Sequence, residues 1–467
     1  MDERQAAKNP PTLIEWLAAY GHGVDLAEAP DNVAEQSALC VLDTVGCIVA
    51  GARTPEARTL YQAEKSQHGE MEEWPAEVAA RTLGFLGDVL ELNDLIGGHS
   101  SIGVVTAVLA GSRGREVSGA ELLRAVAAGT EVTARLYESS VGRFKPYSEG
   151  GTVVVSYFNA LGAATALSMI HSLDPDRTAH AMAMAATIGT WCPAEVIFGN
   201  GGTIKPILFG ANPASSAVQA VAYARHGLTG PLRLLESPIG MMTSLTTEFN
   251  QAQLQDVDRW FITTPQRKLH ASCGYTHSSI DAVSSMRLDQ QELEAIESIE
   301  VAVPAFFKEA VGKVGAPESP NDARFHLGYL VALAIQGKYP ILPEHSLDLE
   351  NELAWGRTMD LSGKVRIVPE DAAAEGATKP YNVSRITVRF RDGATRSSTC
   401  LSPKGSADNP LSDDEVVEKF LQLVAPSTGQ AGAKELAEDL LGVRGAEDIA
   451  SVLGKVHRVV LNELQKG

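Results

Sequence analysis

Residues 157–170 read YFNALGAATALSMI. No Asp, Glu, Lys or Arg interrupts the run, and small or apolar side chains would cover nearly every face of the helix it forms. A helix that is apolar all round belongs in the middle of a large α-helical domain, not on its surface. The charge-free stretch extends from Gly150 to Leu173, long enough to span a bilayer, but Ser156, Asn159, Ser168 and many small residues favour a buried protein helix. Ala-rich runs at 102–111 and 178–190 read the same way, so the fold class is mainly α with a large helical core.

Outward from that centre, the first 270 or so residues stay helical. Asn32 and Glu35 are spaced as an N-terminal capping pair, and apolar residues then recur at helical spacing as far as Gly51. Ser118 and Glu121 repeat the capping pattern ahead of ELLRAVAAGTEVTARL. After about residue 270 the period changes. Ile299, Val301 and Val303 alternate with polar or small residues and stop at Pro304. Ile386, Val388 and Phe390 alternate again before Asp392-Gly393, a hairpin turn signal, and 364–368 reads as a third strand. With a helical stretch at 323–336 between them, this region is a separate α+β domain. From Ser412, paired with Glu415 as a cap, the chain turns helical again over VVEKFLQLV. The expected division is an all-α domain of residues 1–268 plus 406–467, with 269–405 inserted. Residues 370–378 and 425–434 are small and polar and read as loops.

The chain has 467 residues and a net charge of −19, and no basic stretch forms a nucleic-acid footprint. An anionic substrate would therefore need a locally cationic site. The cysteines, Cys40, Cys47, Cys192, Cys273 and Cys400, are odd in number and widely spaced, as in reduced cytoplasmic proteins. Residues 1–13 open with charge and have no apolar core, so they do not read as a signal peptide. There is no GxGxxG, Walker loop or GxSxG elbow. GNGG at 199–202 has the wrong spacing, and His270 and His277 are not spaced as a zinc pair.

Four segments concentrate polar residues in apolar surroundings. They are Glu91 to Asp94 with His99, Phe144 to Thr152 with Lys145 and Tyr147, Gly201 to Pro206 with Lys205, and Lys268 to His277 with His270 and Cys273. Each falls at a helix boundary, and together they supply lysines, histidines, a tyrosine, a thiol and carboxylates, the inventory for binding carboxylates and moving protons. Bland readings stand beside this one: solvated helix-end charges for Glu91 and Asp94, a loop residue for His99, an inert buried thiol for Cys273. A lysine set among Gly, Ile, Pro and Leu, as Lys205 is, must reach water or meet an anion.

The chain resembles the MmgE/PrpD family over nearly its whole length. DVLELND followed by His99 is similar to the family's HALDxDD…H block. GGTIKPILFG resembles its G-x-x-K-P-x-x-x-G element, and KLHASCGYTHSSIDA its K-x-x-P-x-x-x-x-T-H segment. NDARFHLGYLVALAI and SPKGSADNPLSDDEVVEKF resemble two further elements, A-x-F-S-x-x-Y-x-V-A-x-A and P-x-G-x-x-x-x-P-L-S-x-x-E-x-x-x-K-F. The resemblance implies an all-α domain with an inserted α+β lid, an active site in the cleft, a homodimer and a cofactor-independent reaction on a small di- or polycarboxylate. Family activities include 2-methylcitrate dehydration, cis-aconitate decarboxylation and iminodisuccinate epimerisation.

By the same resemblance Lys205, Lys268 and His99 are retained. Glu91 stands where dehydratases and decarboxylases have Asp, Leu95 where they have Thr, Tyr147 where they have His, and Cys273 where decarboxylases have a second His. The resemblance then implies Lys205 and Lys268 as the cations that stabilise charge on a substrate carboxylate, and Tyr147 and His99 as proton-transfer groups on opposite faces. Glu91, Asp94, Cys273 and His277 complete the substrate-binding set. The reading that follows is an epimerase of an iminodisuccinate-like amino polycarboxylate, with a 2-methylcitrate-type dehydratase and a non-catalytic carboxylate binder as alternatives.

Overall fold

The computed structural model describes residues 10–141, 143–145, 147–189, 204–354, 356–370 and 383–466, with the side chains of Tyr147, Ser148, Ile204 and Phe306 outside that set. Cys192, the GNGG cluster, Gly201 to Thr203 and most of 370–378 therefore lie outside the described residues.

The principal helices of the first part are α1 (Leu13–Gly23), α2 (Val33–Gly51), α3 (Pro55–His68), α4 (Ala76–Asp88), α5 (Ser100–Gly111), α6 (Gly119–Glu138), the short α7 (Tyr147–Gly150), α8 (Val155–Ile170), α9 (Pro175–Ile188) and α10 (Asn212–Arg225). The run at 157–170 is the heart of α8, whose side chains are almost all buried against α5, α6, α9 and α10. The Ser118–Glu121 capping box forms in both directions at the start of α6. Among the described residues one helix, α2, is long and apolar enough to cross a bilayer, and 94% of that window is buried inside the protein. Gly51 ends α2, where a Cβ would stand 1.9 Å from the Leu86 carbonyl oxygen of α4.

Asn32 does not cap α2 with its side chain. The chain enters through a tight turn in which the Val33 N–H donates to Pro30 O at 2.9 Å, and Asn32 takes helical φ and ψ of −89° and −3° in place of the extended backbone from which a cap side chain reaches the second or third amide.

A second core follows. It is built on α11 (His277–Ser284), β1 (Ile296–Val303), α12 (Leu327–Ile335), β2 (Val365–Pro369), β3 (Ser384–Phe390) and β4 (Thr395–Cys400). The sheet order is β2-β1-β3-β4, with β1 parallel to β2 and antiparallel to β3. Asp392 and Gly393 make the β3–β4 turn, with Gly393 at φ 85°, as the hairpin signal requires. Ile299, Val301, Ile386 and Val388 all bury their alternating faces in this core.

The chain then returns as α13 (Asp413–Leu441) and α14 (Ala450–Leu464), whose apolar residues join the first core, not the second. Ser412 and Glu415 form the expected capping box. Residues 425–434, expected as a loop, are helical on both sides of a kink at Gly429, where φ is 74° and ψ 165°. Ala433, Leu436, Ala437 and Leu440 bury one face of the continuation, and that tertiary contact overrides the small-residue composition.

Candidate active site

Helix α4 ends at Asp88, and the chain turns at Glu91, whose φ of 56° is left-handed. That turn brings the Asp88 and Glu91 side chains onto one point. Lys205 Nζ lies 2.6 Å from Asp88 Oδ1 and 2.5 Å from Glu91 Oε1. The other Glu91 oxygen, Oε2, accepts from Lys268 Nζ at 3.0 Å. All four residues are at most 3% exposed. Sequence reasoning expected the lysines as cations awaiting a substrate. Here they are joined through Glu91, and their two charges are matched by Glu91 and Asp88.

Burial raises the Asp88 carboxyl, and neighbouring Glu91 raises it further against the pull of Lys205. Burial also raises Glu91, but the Lys205 and Lys268 ammoniums outweigh it and hold Glu91 below the usual carboxylate range. Burial opposes the charge on Lys205, and its two carboxylates more than restore it. The cluster at neutral pH is therefore ionised at Glu91 and Lys205, with Asp88 the carboxyl nearest its own titration.

His99 sits beside this cluster at the entry to α5, with a left-handed φ of 81°. Gly97 and Gly98 before it have φ of 53° and 71°, and a Cβ on Gly97 would lie 2.4 Å from the Ala134 Cα, so only glycine lets the loop cross α6 there. The Asn93 amide nitrogen lies 3.0 Å from His99 Nδ1. An NH2 donor there makes Nδ1 the acceptor and leaves the ring proton on Nε2. Burial, then Lys205 and Lys268, push the His99 pKa well below its ordinary value, so the imidazole is neutral. Its ring packs against Phe209 at 5.5 Å between centroids, and Lys205 Nζ stands 4.8 Å from the centre of the same Phe209 ring.

Asp94 lies under the loop, bridged through its backbone to Arg267. Burial pushes its carboxyl up to about 7, and the Asp43 carboxylate adds to the effect that Ser101, Arg267 and Lys419 oppose. Lys419, on α13, donates to Leu92 O at 2.8 Å and pairs with Asp43 Oδ1 at 2.7 Å. Helix α13 thus holds the loop between Glu91 and Asn93.

Lys268 is fixed from the other side. The Arg267 N–H donates to Gly405 O at 2.8 Å, while a Cβ on Gly405, at φ 90°, would lie 1.9 Å from Arg267 O. Gly405→Ala is expected to destabilise the protein by about 1–3 kcal/mol from the backbone conformation alone, with the clash adding to it. Chemical denaturation checks this, and an unchanged midpoint would show that this crossing can relax.

Cys273 is buried and its N–H donates to Arg324 O at 2.9 Å. Burial pushes the thiol up to about 11, and Glu91 adds to that, so the thiol is protonated at neutral pH. His277 Nε2 is 3.2 Å from Ser272 O and its ring meets His270 edge-on at 4.8 Å. His277 is also pushed well below its ordinary pKa, first by burial and then by His270 and Lys268. Leu95, Lys268, Gly274, His277 and Lys404 line a small cleft on this side. Arg324 donates to Val89 O at 2.7 Å and so ties the second core to the Asp88–Glu91 turn.

Of the residues singled out in the sequence, Glu91, His99, Lys205 and Lys268 come together, and Cys273 borders them. Asp94 and His277 lie one layer away, on the Arg267 and Ser272 side. Tyr147 falls in α7 with its side chain outside the described residues. Lys145 stands apart, donating to Thr243 O at 2.9 Å on the surface. Asp88 was missed. Its signal was its place three residues before Glu91, at the end of a helix that would otherwise leave an acid buried among Val89, Leu90 and Phe85.

The MmgE/PrpD N-terminal domain profile matches residues 15–254, and the MmgE/PrpD C-terminal domain profile matches residues 270–442. The chain is 22% identical to a cis-aconitate decarboxylase of Aspergillus terreus over 459 residues, covering 91% of this chain and 92% of that one. It is 23% identical to the cis-aconitate decarboxylase-like protein oryM of Aspergillus oryzae over 92% of this chain and 94% of the relative. It is 24% identical to a human cis-aconitate decarboxylase, over 88% and 87% of the two chains. With both profiles matched in order across the two cores that flank the Lys205–Glu91–Lys268 cluster, the chain belongs to the MmgE/PrpD family.

Proposed function

We propose that this chain is a cofactor-independent enzyme that removes and returns a proton on the carbon next to a carboxylate of a small di- or polycarboxylate. The observation that carries the reading is the pair of buried ammoniums, Lys205 and Lys268, bridged by one carboxylate with a neutral imidazole beside them. Loss of a proton α to a carboxylate places extra negative charge on the carboxylate oxygens. Fixed ammoniums in a water-poor site stabilise that charge far better than water does. A substrate carboxylate would take the place of Glu91 or Asp88 on the lysines, and neutral His99 can accept the proton. Tyr147 is the proposed partner on the opposite face. Residues 269–405 are the proposed lid, closing over the first core to exclude water.

The finer assignment is an epimerase of an iminodisuccinate-like amino polycarboxylate. It rests on Tyr147, Leu95, Cys273 and Glu91 standing where decarboxylases and dehydratases carry other residues. A lyase is the second reading, favoured by the decarboxylase names of the relatives. Proton NMR in D2O, with iminodisuccinate, 2-methylcitrate and cis-aconitate in separate tubes, tests both. The expected result is loss of the α-proton signal of iminodisuccinate with a changed diastereomer ratio and no alkene. An alkene from 2-methylcitrate, or decarboxylation of cis-aconitate, would replace the epimerase with the lyase. Silence in all three tubes would overturn the substrate class. Tyr147→Phe is expected to lower turnover at least 100-fold, and full activity would remove Tyr147 from the reacting set.

A further inference from the structure

We propose that Asn159, in the second turn of α8, is a positioning residue that sets His99 against Lys205 by clamping the backbone on both sides of the site. The inference deepens the proton-transfer reading and rests on it for its kinetic arm only. Asn159 is fully buried in a helix otherwise lined by apolar and small residues. Its amide nitrogen donates to His99 O at 2.9 Å and to Phe209 O at 3.2 Å. Both neighbours are carbonyl oxygens, so only the NH2 end of the amide can face them, one hydrogen to each.

Each carbonyl belongs to an irregular piece of backbone. His99 holds the left-handed φ of 81° that turns its ring toward Phe209. Phe209 lies in a π-helical turn, Ile207–Ala211, which Pro206 joins to Lys205. In an α-helix the Phe209 carbonyl would accept from the amide four residues on, and that residue is Pro213, which has no N–H. Asn159 supplies a hydrogen to that carbonyl. The Phe209 ring lies 5.5 Å from the His99 imidazole, centroid to centroid, and its centre is 4.8 Å from the Lys205 ammonium. One amide therefore fixes the aromatic spacer and the imidazole together. Gly103 makes room for it: a Cβ there would lie 3.2 Å from the Asn159 Cβ.

The test uses full-length protein. Asn159→Asp keeps the side-chain shape and removes both donors, and Asn159→Ala removes the clamp. In protein labelled with 15N at histidine, the ring signals assigned to His99 by their loss in His99→Asn are expected to move in both variants. On whichever carboxylate the wild type turns over, kcat is expected to fall about 100-fold with KM changed less than threefold, as a misplaced reacting group predicts. If Asn159→Ala fails to fold, Pro213→Ala added to it returns an N–H to Phe209 O. The double variant is expected to fold and remain slow with displaced His99 signals, because His99 O is still unclamped. Folded variants with unmoved His99 signals, or with kcat within twofold of wild type, would overturn the proposal. A wild type inactive on every carboxylate tried would count against the functional reading alone, and the histidine signals would still decide the role of Asn159.

Discussion

Lys205→Met is expected to cost about 3–5 kcal/mol of stability and to abolish turnover. The substitution leaves Asp88 and Glu91 buried side by side with only Lys268 to balance them, and removing one partner of a buried ion pair costs that much because the other is stranded. Asp88→Asn in the same chain removes the surplus charge and leaves a Lys268–Glu91 pair. The double variant is therefore expected to recover more than half of the lost stability while staying inactive. Urea unfolding of wild type, both singles and the double closes the cycle. A cost below about 1 kcal/mol for Lys205→Met would mean that the cluster opens to water easily, contrary to the buried geometry.

Asp94→Asn is expected to stabilise the protein at pH 8 and to be nearly neutral at pH 4. The folded-state pKa of Asp94 is raised to about 7 from 3.8. Between those values the native state holds a proton that the unfolded chain has lost. The stability due to that proton is complete below about pH 4 and is lost as pH rises through 7. At about 1.4 kcal/mol per pH unit the difference comes to between about 4 and 5 kcal/mol. Asparagine carries no such dependence, so the gap between variant and wild type should widen steadily from pH 4 to 7 and then level off. Asp88 and Glu131, also raised by burial, slope the same way in both proteins and cancel from the comparison. A gap that stays constant with pH would show that Asp94 titrates normally.

Much of the fold was legible because its signals are local. The unbroken apolar run of α8, the alternation at Ile299, Val301 and Val303, the Asp392-Gly393 turn and the Ser412–Glu415 cap each depend on a few neighbouring residues. Where a distant contact decides, the sequence misled. Residues 425–434 look like a loop until their apolar face meets the first core.

The site divides along the same line. Glu91, His99, Lys205 and Lys268 stood out as polar residues in apolar segments. Asp88 and Asn159 did not, since each has its effect through partners fifty or more residues away: Lys205 for the one, His99 and Phe209 for the other. Lys419 lay within the SPKGSADNPLSDDEVVEKF element with no role of its own. Only the fold shows it reaching Leu92 O across the core.

That reach imposes an order on synthesis. A ribosome that has finished residue 405 has made Asp88, Glu91, His99, Lys205 and Lys268, but not the helix that covers α2 and anchors Leu92. Until α13 emerges, α2 presents to water the apolar face that α13 will cover, and Asp43 lacks its counter-ion. A chain cut short by a stop codon or a protease is thus left with a sticky surface and an unanchored loop. Exposed apolar surface of that kind is what makes incomplete chains prone to aggregate.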